Sequence, residues 1–230
     1  MTTPYPFQGL GARAIHKFGG RALLADQPGL GKSFSSLLYL VRHWTENVPC
    51  VVVCPASVKW NWQREAHIHF GLRAEVLEGT RQKKGGWGIP DITVVNYDIL
   101  GKRGGDNTGE GWLGYLKSLQ PRLVIIDESQ NLCDVRTLKT RWVQNLSERV
   151  PHVVCLSGTP LTNRPKELWA TLNLLRPDLF GNQGRFHHKF CGPRKRHWGW
   201  TFDGATNLSE LNTLLQNVMI RRRKAEVLSQ

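Results

Sequence analysis

Short, unbroken apolar runs alternate along the chain with longer amphipathic stretches. The runs are Ala22-Leu23-Leu24-Ala25, Cys50-Val51-Val52-Val53-Cys54, Ile92-Thr93-Val94-Val95, Leu123-Val124-Ile125-Ile126 and Val153-Val154-Cys155-Leu156. They lack the polar alternation of a strand with one wet face, so they read as strands covered on both sides, as in a parallel sheet. A weaker strand fits 74–77. Helices are predicted over 34–41, 58–70, 135–148, 166–175 and 208–217, with Ser57 as the N-cap of the second and Pro165 in the first turn of the fourth. Near the N-terminus Ala12, Ile15 and Phe18 recur at helical spacing, and Gly19-Gly20 end that helix. Alternation of strand and helix through residue 175 requires right-handed crossovers. The predicted fold is therefore α/β: a mostly parallel sheet flanked by helices on both faces. The polar stretch 79–88 and the five glycines within 101–111 interrupt the pattern, and 101–111 is expected to be a flexible loop inserted in the domain.

At 230 residues and 40% hydrophobic, the chain can bury one large core. Its formal net charge is +13, unevenly placed. Residues 181–230 carry nine Lys/Arg against three acids, which suits a polyanion partner or a solvated basic surface. Five cysteines without a Cys-x-x-Cys pair read as reduced thiols. His187, His188 and Cys191 lack a second ligand pair at matching spacing, which argues against zinc. No apolar run reaches the length of a membrane span and the N-terminus lacks a signal peptide's apolar region. The expected setting is intracellular, in cytoplasm, nucleoid or nucleus, with no membrane contact.

Between the first strand and its helix lies Asp26-Gln27-Pro28-Gly29-Leu30-Gly31-Lys32-Ser33. Strand, glycine turn, Lys-Ser and helix make a phosphate-binding loop. The amides of Gly29, Leu30 and Gly31 would cradle a polyphosphate, Lys32 would reach its β and γ groups, and Ser33 would hold Mg²⁺. The strict pattern has Gly where this chain has Asp26. The same chemistry needs an acidic pair at the end of another strand. Asp127-Glu128 supplies it, Asp127 for the metal and Glu128 to orient and deprotonate water.

These motifs together resemble the Swi/Snf-type DNA translocases of helicase superfamily 2, over nearly the whole chain but only over that family's first RecA-like lobe. The resemblance rests on six segments in order: Tyr5-Pro6-Phe7-Gln8; Asp26 to Ser33; Val53-Cys54-Pro55-Ala56-Ser57 with Trp60-Asn61-Trp62; Val95-Asn96-Tyr97-Asp98; Asp127-Glu128-Ser129-Gln130; and Leu156-Ser157-Gly158-Thr159-Pro160-Leu161-Thr162-Asn163. It implies a P-loop NTPase lobe, with ATP and Mg²⁺ as ligands and the base edge of adenine at Gln8. Gln130, Ser157, Gly158 and Thr159 would couple hydrolysis to movement. Lys59, Trp60, Asn96, Tyr97 and Asn163 would contact DNA, chiefly its phosphates, with the basic cluster at 221–224 a further candidate. Trp198-Gly199-Trp200 and Met219-Ile220-Arg221-Arg222-Arg223-Lys224 are similar to the HepA-related annealing-helicase branch, in which the Arg-rich segment leads out of the first lobe.

The chain departs from the family at Gln130, where His is usual, and at Pro28, where Met is usual. The family's second lobe, with its arginine fingers, would follow Val227-Leu228-Ser229. Such a finger contributes a factor of about 10³–10⁵ in rate, so the lobe alone is expected to bind nucleotide and hydrolyse it poorly. The alternative is a non-catalytic, ATP-gated DNA-binding or interaction module that works with a separately encoded second lobe. A third reading is an RNA helicase of the same superfamily.

Overall fold

Each continuous apolar run becomes a strand. The computed structural model describes residues 2–79, 88–101, 111–158 and 164–227. In chain order it contains α1 (Pro6–Lys17), β1 (Arg21–Leu24), α2 (Lys32–Arg42), α3 (Trp44–Asn47), β2 (Cys50–Cys54), α4 (Lys59–Phe70), β3 (Ala74–Val76), β4 (Ile92–Asn96), α5 (Leu113–Ser118), β5 (Leu123–Ile126), α6 (Leu138–Ser147), β6 (His152–Leu156), α7 (Pro165–Leu175), α8 (Pro177–Phe180), α9 (Gln183–Phe190), β7 (Arg194–Arg196), β8 (Gly199–Thr201), α10 (Leu208–Leu215), β9 (Met219–Ile220) and α11 (Lys224–Val227). The expected loop at 101–111 falls almost wholly outside the described residues.

The main sheet has seven strands in the order β3-β4-β2-β5-β6-β1-β9, and all of its pairings are parallel. Two apolar clusters cover its faces, fed by alternate residues of the same strands. Leu24, Val52, Val94, Ile125 and Val154 meet α1, α2 and α4 through Ile15, Leu37 and Trp62. Leu23, Val53, Val95, Ile126 and Val153 meet α5, α6 and α7 through Leu116, Val143 and Leu172, with α9 and α10 behind. This explains the missing alternation: every position of β2, β4 and β5 is buried. Burying one such aliphatic side chain contributes about 1.5–3 kcal/mol.

Arg21 pins the far end of the sheet. Its guanidinium donates to the carbonyls of Leu174 (2.7 Å) and Leu175 (3.0 Å) at the end of α7, and to Val150 (2.9 Å) before β6. A cation there meets the negative end of the helix dipole and satisfies carbonyls that the helix leaves open.

Some elements differ from the sequence expectation. Ser57 does not cap α4; it lies in a short 3₁₀ turn, and Val58 precedes the helix without a side-chain cap bond. The turn lets Pro55 leave β2 before the helix begins. Leu113–Ser118, Gln183–Phe190 and the antiparallel β7–β8 hairpin were not evident in the apolar pattern. Met219–Ile220 is an added edge strand, paired to Leu23 and Leu24.

Candidate nucleotide-binding site

The strand order brings three strand ends together. β6 lies between β1 and β5, so the turns after all three open at the same carboxyl edge of the sheet. In open α/β sheets ligands bind in the crevice outside that edge.

From β1 the chain enters the glycine turn. Gly31 sits at φ 68° as the cap of α2, and a side chain there would run into Gln8 Nε2, so glycine meets both a backbone and a space requirement. Gln8 projects from α1 against the turn, and its Oε1 accepts the Tyr5 backbone N–H at 3.0 Å. Leu30 is buried beneath the loop. Lys32 opens α2, and its Nζ donates to the Asp26 carbonyl at 3.0 Å. Ser33 follows on the first turn, where the helix leaves its amides free for an anion.

From β5 the chain delivers the acidic pair. Three groups fix Asp127: Trp62 Nε1 donates to Oδ2 at 2.9 Å, the Glu128 amide donates to Oδ1 at 3.0 Å, and the Tyr97 hydroxyl donates to the Asp127 carbonyl at 2.7 Å. Glu128 has a left-handed backbone (φ 52°), rare outside glycine and common at sites under functional constraint. Asn131 Nδ2 holds its carbonyl at 2.8 Å.

From β6 comes Ser157, whose amide donates to Leu24 of β1 at 3.0 Å. Its hydroxyl donates to Gln130 Oε1 at 2.8 Å, while Gln130 Nε2 donates to Glu128 Oε2 at 2.5 Å. Gln130 thus bridges the acidic pair and the β6 turn through both ends of its amide. Gly158 follows; a Cβ there would lie 2.9 Å from Pro28 Cγ and 3.7 Å from Lys32 Nζ. Pro28, the unusual residue of the loop, is therefore the surface on which the β6 turn rests.

Burial draws the Lys32 ammonium below the ordinary lysine range, opposed by the charges of Glu128, Asp26 and Asp127. Burial pushes the Asp127 carboxyl above its ordinary range; the Trp62 bond opposes this and the Glu128 charge adds to it. A desolvated carboxylate beside a second one favours a cation, and Asp127 with the Ser33 hydroxyl is an oxygen donor set suited to Mg²⁺. Cys54 and Cys155, near the ends of β2 and β6, are pushed up to about 12 by burial and serve as packing.

Asp26 is wholly buried and is paired with a residue 196 positions away. Arg222 donates to its Oδ1 from the backbone N–H (2.9 Å) and from Nε (3.0 Å), and from Nη2 to Oδ2. Its Nη1 donates to the Phe7 carbonyl, and the guanidinium lies over the Phe7 ring, 5.9 Å from the centroid. The Gln27 amide donates to the Arg222 carbonyl at 3.0 Å, and the Lys224 amide to Gln27 Oε1 at 2.8 Å. The C-terminal strap therefore runs along the phosphate loop and ties it to α1.

Several residues expected at DNA face inward. Lys59 is buried and its Nζ donates to the Leu77 carbonyl at 2.9 Å. Asn96 and Tyr97 are buried at the end of β4, and Tyr97 supports Asp127. Arg222 belongs to the Asp26 pair. Neighbours from other elements enclose the side chains of Lys59, Asn96 and Tyr97 within the domain. Trp60 is 53% exposed on the first turn of α4, at the same sheet edge. Thr159 and Asn163 lie outside the described residues. The supports Trp62 and Arg222 were hidden as such in the sequence. The one signal was Asp26 itself, since an acid packed among apolar residues needs a partner.

No helix among the described residues is long and apolar enough to cross a membrane. The sequence profile described as the SNF2-related domain matches residues 16–230. The SWI/SNF-related matrix-associated actin-dependent regulator of chromatin subfamily A-like protein 1 of Bos taurus is 34% identical, over 98% of this chain and 23% of its own length. The DNA annealing helicase and endonuclease ZRANB3 of Mus musculus is 31% identical, over 98% of this chain and 21% of its own. The Sulfolobus solfataricus SWI2/SNF2 ATPase core, solved in complex with dsDNA, superposes with a TM-score of 0.76 at 26% identity, over 97% of this chain and 45% of that one. The chain thus spans between a fifth and a quarter of the length of these curated relatives and under half of the solved core. With the fold, the profile match and these relatives in agreement, the chain belongs to the SNF2-related family as a RecA-like, helicase-type ATPase domain.

Proposed function

We propose that this lobe binds ATP with Mg²⁺ at the shared edge of β1, β6 and β5, and that hydrolysis, completed by a second lobe, drives movement along duplex DNA. The observation that carries this reading is the bridge from Glu128 through Gln130 to Ser157, placed across from Lys32. Gly29, Leu30 and Gly31 present backbone amides to the phosphates, and Lys32 adds its charge. Gln8, held against the turn, reads the adenine edge. Ser33 and Asp127 would hold Mg²⁺, which would supply positive charge beside the phosphates. Trp62 and Tyr97 keep Asp127 in place. Glu128 accepts a hydrogen bond from water and takes its proton. Gln130, Ser157, Gly158 and Thr159 pass the change at the nucleotide to the segment that follows, where Asn163 meets DNA phosphates, with exposed Trp60 of α4 a second contact. The second lobe, on another chain or in a longer parent protein, supplies the missing arginine contacts.

The test is ATP binding and turnover, with and without duplex DNA, at matched salt. Lys32→Ala should lose ATP affinity. Glu128→Gln should keep it and lose about 10²–10⁴-fold in turnover. A Glu128→Gln protein that hydrolyses ATP at the parent rate sinks the assignment. Stimulation by RNA in place of duplex DNA would redirect the polymer.

A further inference from the structure

The β7–β8 hairpin stands apart from the nucleotide site and carries an unusual surface. Its two short strands pair Arg194 with Thr201, Lys195 with Trp200 and Arg196 with Gly199, leaving His197 and Trp198 as the turn. All three basic residues are exposed, and none makes an ion pair with a described residue. Between Asp178 and Asp203 the sequence holds five Lys/Arg and no acid. Trp198 is 69% exposed and Trp200 51%. Trp200 leans by an edge on His188 of α9 (centroids 5.1 Å), and Trp198 meets His197 edge-on (4.2 Å, 87°). Neither indole is enclosed, although a tryptophan offers roughly 150–250 Å² for burial.

An isolated two-stranded hairpin is marginal, so this one must be held from below. The Gly204 amide donates to the Cys191 carbonyl and the Thr206 amide to the Phe190 carbonyl, each at 3.0 Å. Phe202 packs on the rings of His187 (5.4 Å) and His188 (4.9 Å). At the same base Asp203 lies 3.8 Å from Arg164 and 3.9 Å from Lys166, at the start of α7. The base is anchored and the tip projects.

We propose that this hairpin is a contact for unpaired DNA: Trp198 at the turn and Trp200 stack on exposed bases, while Lys195, on the face of Trp200, and Arg194 and Arg196, on the other face, meet phosphates of the strand as it crosses the hairpin. Interleaved aromatic and basic side chains form the surface that holds a single strand without regard to sequence. A duplex would use the basic residues alone, because its paired bases present no face to an indole. The ion pairs from Asp203 place this contact beside α7, the helix that follows the β6 turn of the nucleotide site.

The test needs no nucleotide, so it is independent of catalysis. Fluorescence anisotropy of a labelled 20-nucleotide oligothymidine and of a 20-base-pair duplex is followed with the 230-residue protein. Trp198→Ala/Trp200→Ala, which removes two stacking contacts, should weaken oligothymidine binding by at least about 30-fold. It should change duplex binding less than about threefold, as expected when only phosphate contacts remain. Trp198→Phe/Trp200→Phe should recover most of the loss. Replacing Arg194, Lys195 and Arg196 by Gln should flatten the logarithmic salt dependence of oligothymidine binding by about 2, at about 0.7 per phosphate. An unchanged oligothymidine affinity in the double alanine variant overturns the proposal. So does an equal loss on single strand and duplex, or binding of anionic phosphatidylserine vesicles that depends on the tryptophans while oligothymidine binding does not. Melting temperatures matching the parent exclude misfolding as the cause.

Discussion

Arg222→Met should destabilise this protein more than Asp26→Asn, although each removes one half of the same ion pair. The asymmetry follows from burial. The Asp26 side chain is 0% exposed, whereas Arg222 retains 11%. Without the guanidinium, Asp26 is an enclosed carboxylate with no route to water, a change that costs about 3–5 kcal/mol. Without the carboxylate charge, Arg222 keeps its bond to the Phe7 carbonyl and a long stem that can turn outward. That loss is about 1.5–3 kcal/mol, the scale of a hydrogen bond to a charged group. In the double variant no charge is stranded, so it should be more stable than Arg222→Met alone, with a coupling of about 2 kcal/mol. Urea unfolding followed by circular dichroism measures all four proteins on one scale. Amide exchange adds a local readout: the Ala25 and Gln27 amides, which donate to Ile220 and Arg222, should exchange faster in Arg222→Met. Two single effects that add, or an Arg222→Met protein within about 0.5 kcal/mol of the parent, would refute the view that this pair holds the strap on the phosphate loop.

Trp62→Phe removes the donor to Asp127 Oδ2 and should move the Mg²⁺ dependence of ATP turnover to higher concentration; an unmoved titration would deny Trp62 its role in setting Asp127. Arg21→Met leaves the carbonyls of Leu174, Leu175 and Val150 without their donor and should cost about 2–3 kcal/mol in thermal or urea unfolding. Gln130→Ala should preserve ATP affinity and abolish stimulation of turnover by DNA, while Gln130→His should restore stimulation; equal stimulation in the alanine variant would remove the bridge from the coupling path. Burial holds His152 and His187 below the usual 6.5, so the unfolded chain takes up protons first; their contribution is full above that pH and is lost as pH falls through the lower folded values. The melting temperature should therefore drop from pH 7.5 to 5.5, and drop less in His152→Gln/His187→Gln; parallel pH profiles would place the acid sensitivity elsewhere.

The central strands were legible because burial on both faces leaves an unbroken apolar run, and no surface element produces one of that length and composition. The glycine turn and Asp127-Glu128 were legible because their chemistry fixes residue types at the ends of strands. Direction was not legible. Lys59 and Tyr97 belong to polar, aromatic stretches that read as outward-facing, yet each donates into the domain, to Leu77 and to Asp127. A motif gives the residue, whereas the packing of α4, β4 and β5 decides which way it points. The Asp26–Arg222 pair joins positions too far apart for any local pattern, and Arg222 sits in a basic run that resembles a solvated tail. The β7–β8 hairpin was missed for the opposite reason: its strands are three residues each and almost wholly exposed, so no apolar period marks them.

Strand order also stayed out of reach, and much of the site depends on it. Because β6 lies between β1 and β5, Ser157 can touch both neighbours at once, bonding backbone to Leu24 and side chain to Gln130. That position explains why glutamine can stand where the family has histidine. The place calls for a group that donates at one end and accepts at the other, and a primary amide does both. An imidazole does so only as the neutral form of one tautomer, and it gains a charge near pH 6.5. The amide does not titrate, so its two ends keep their donor and acceptor roles between Glu128 and Ser157. Gln130 therefore joins Glu128 to Ser157 without placing a titrating group between them.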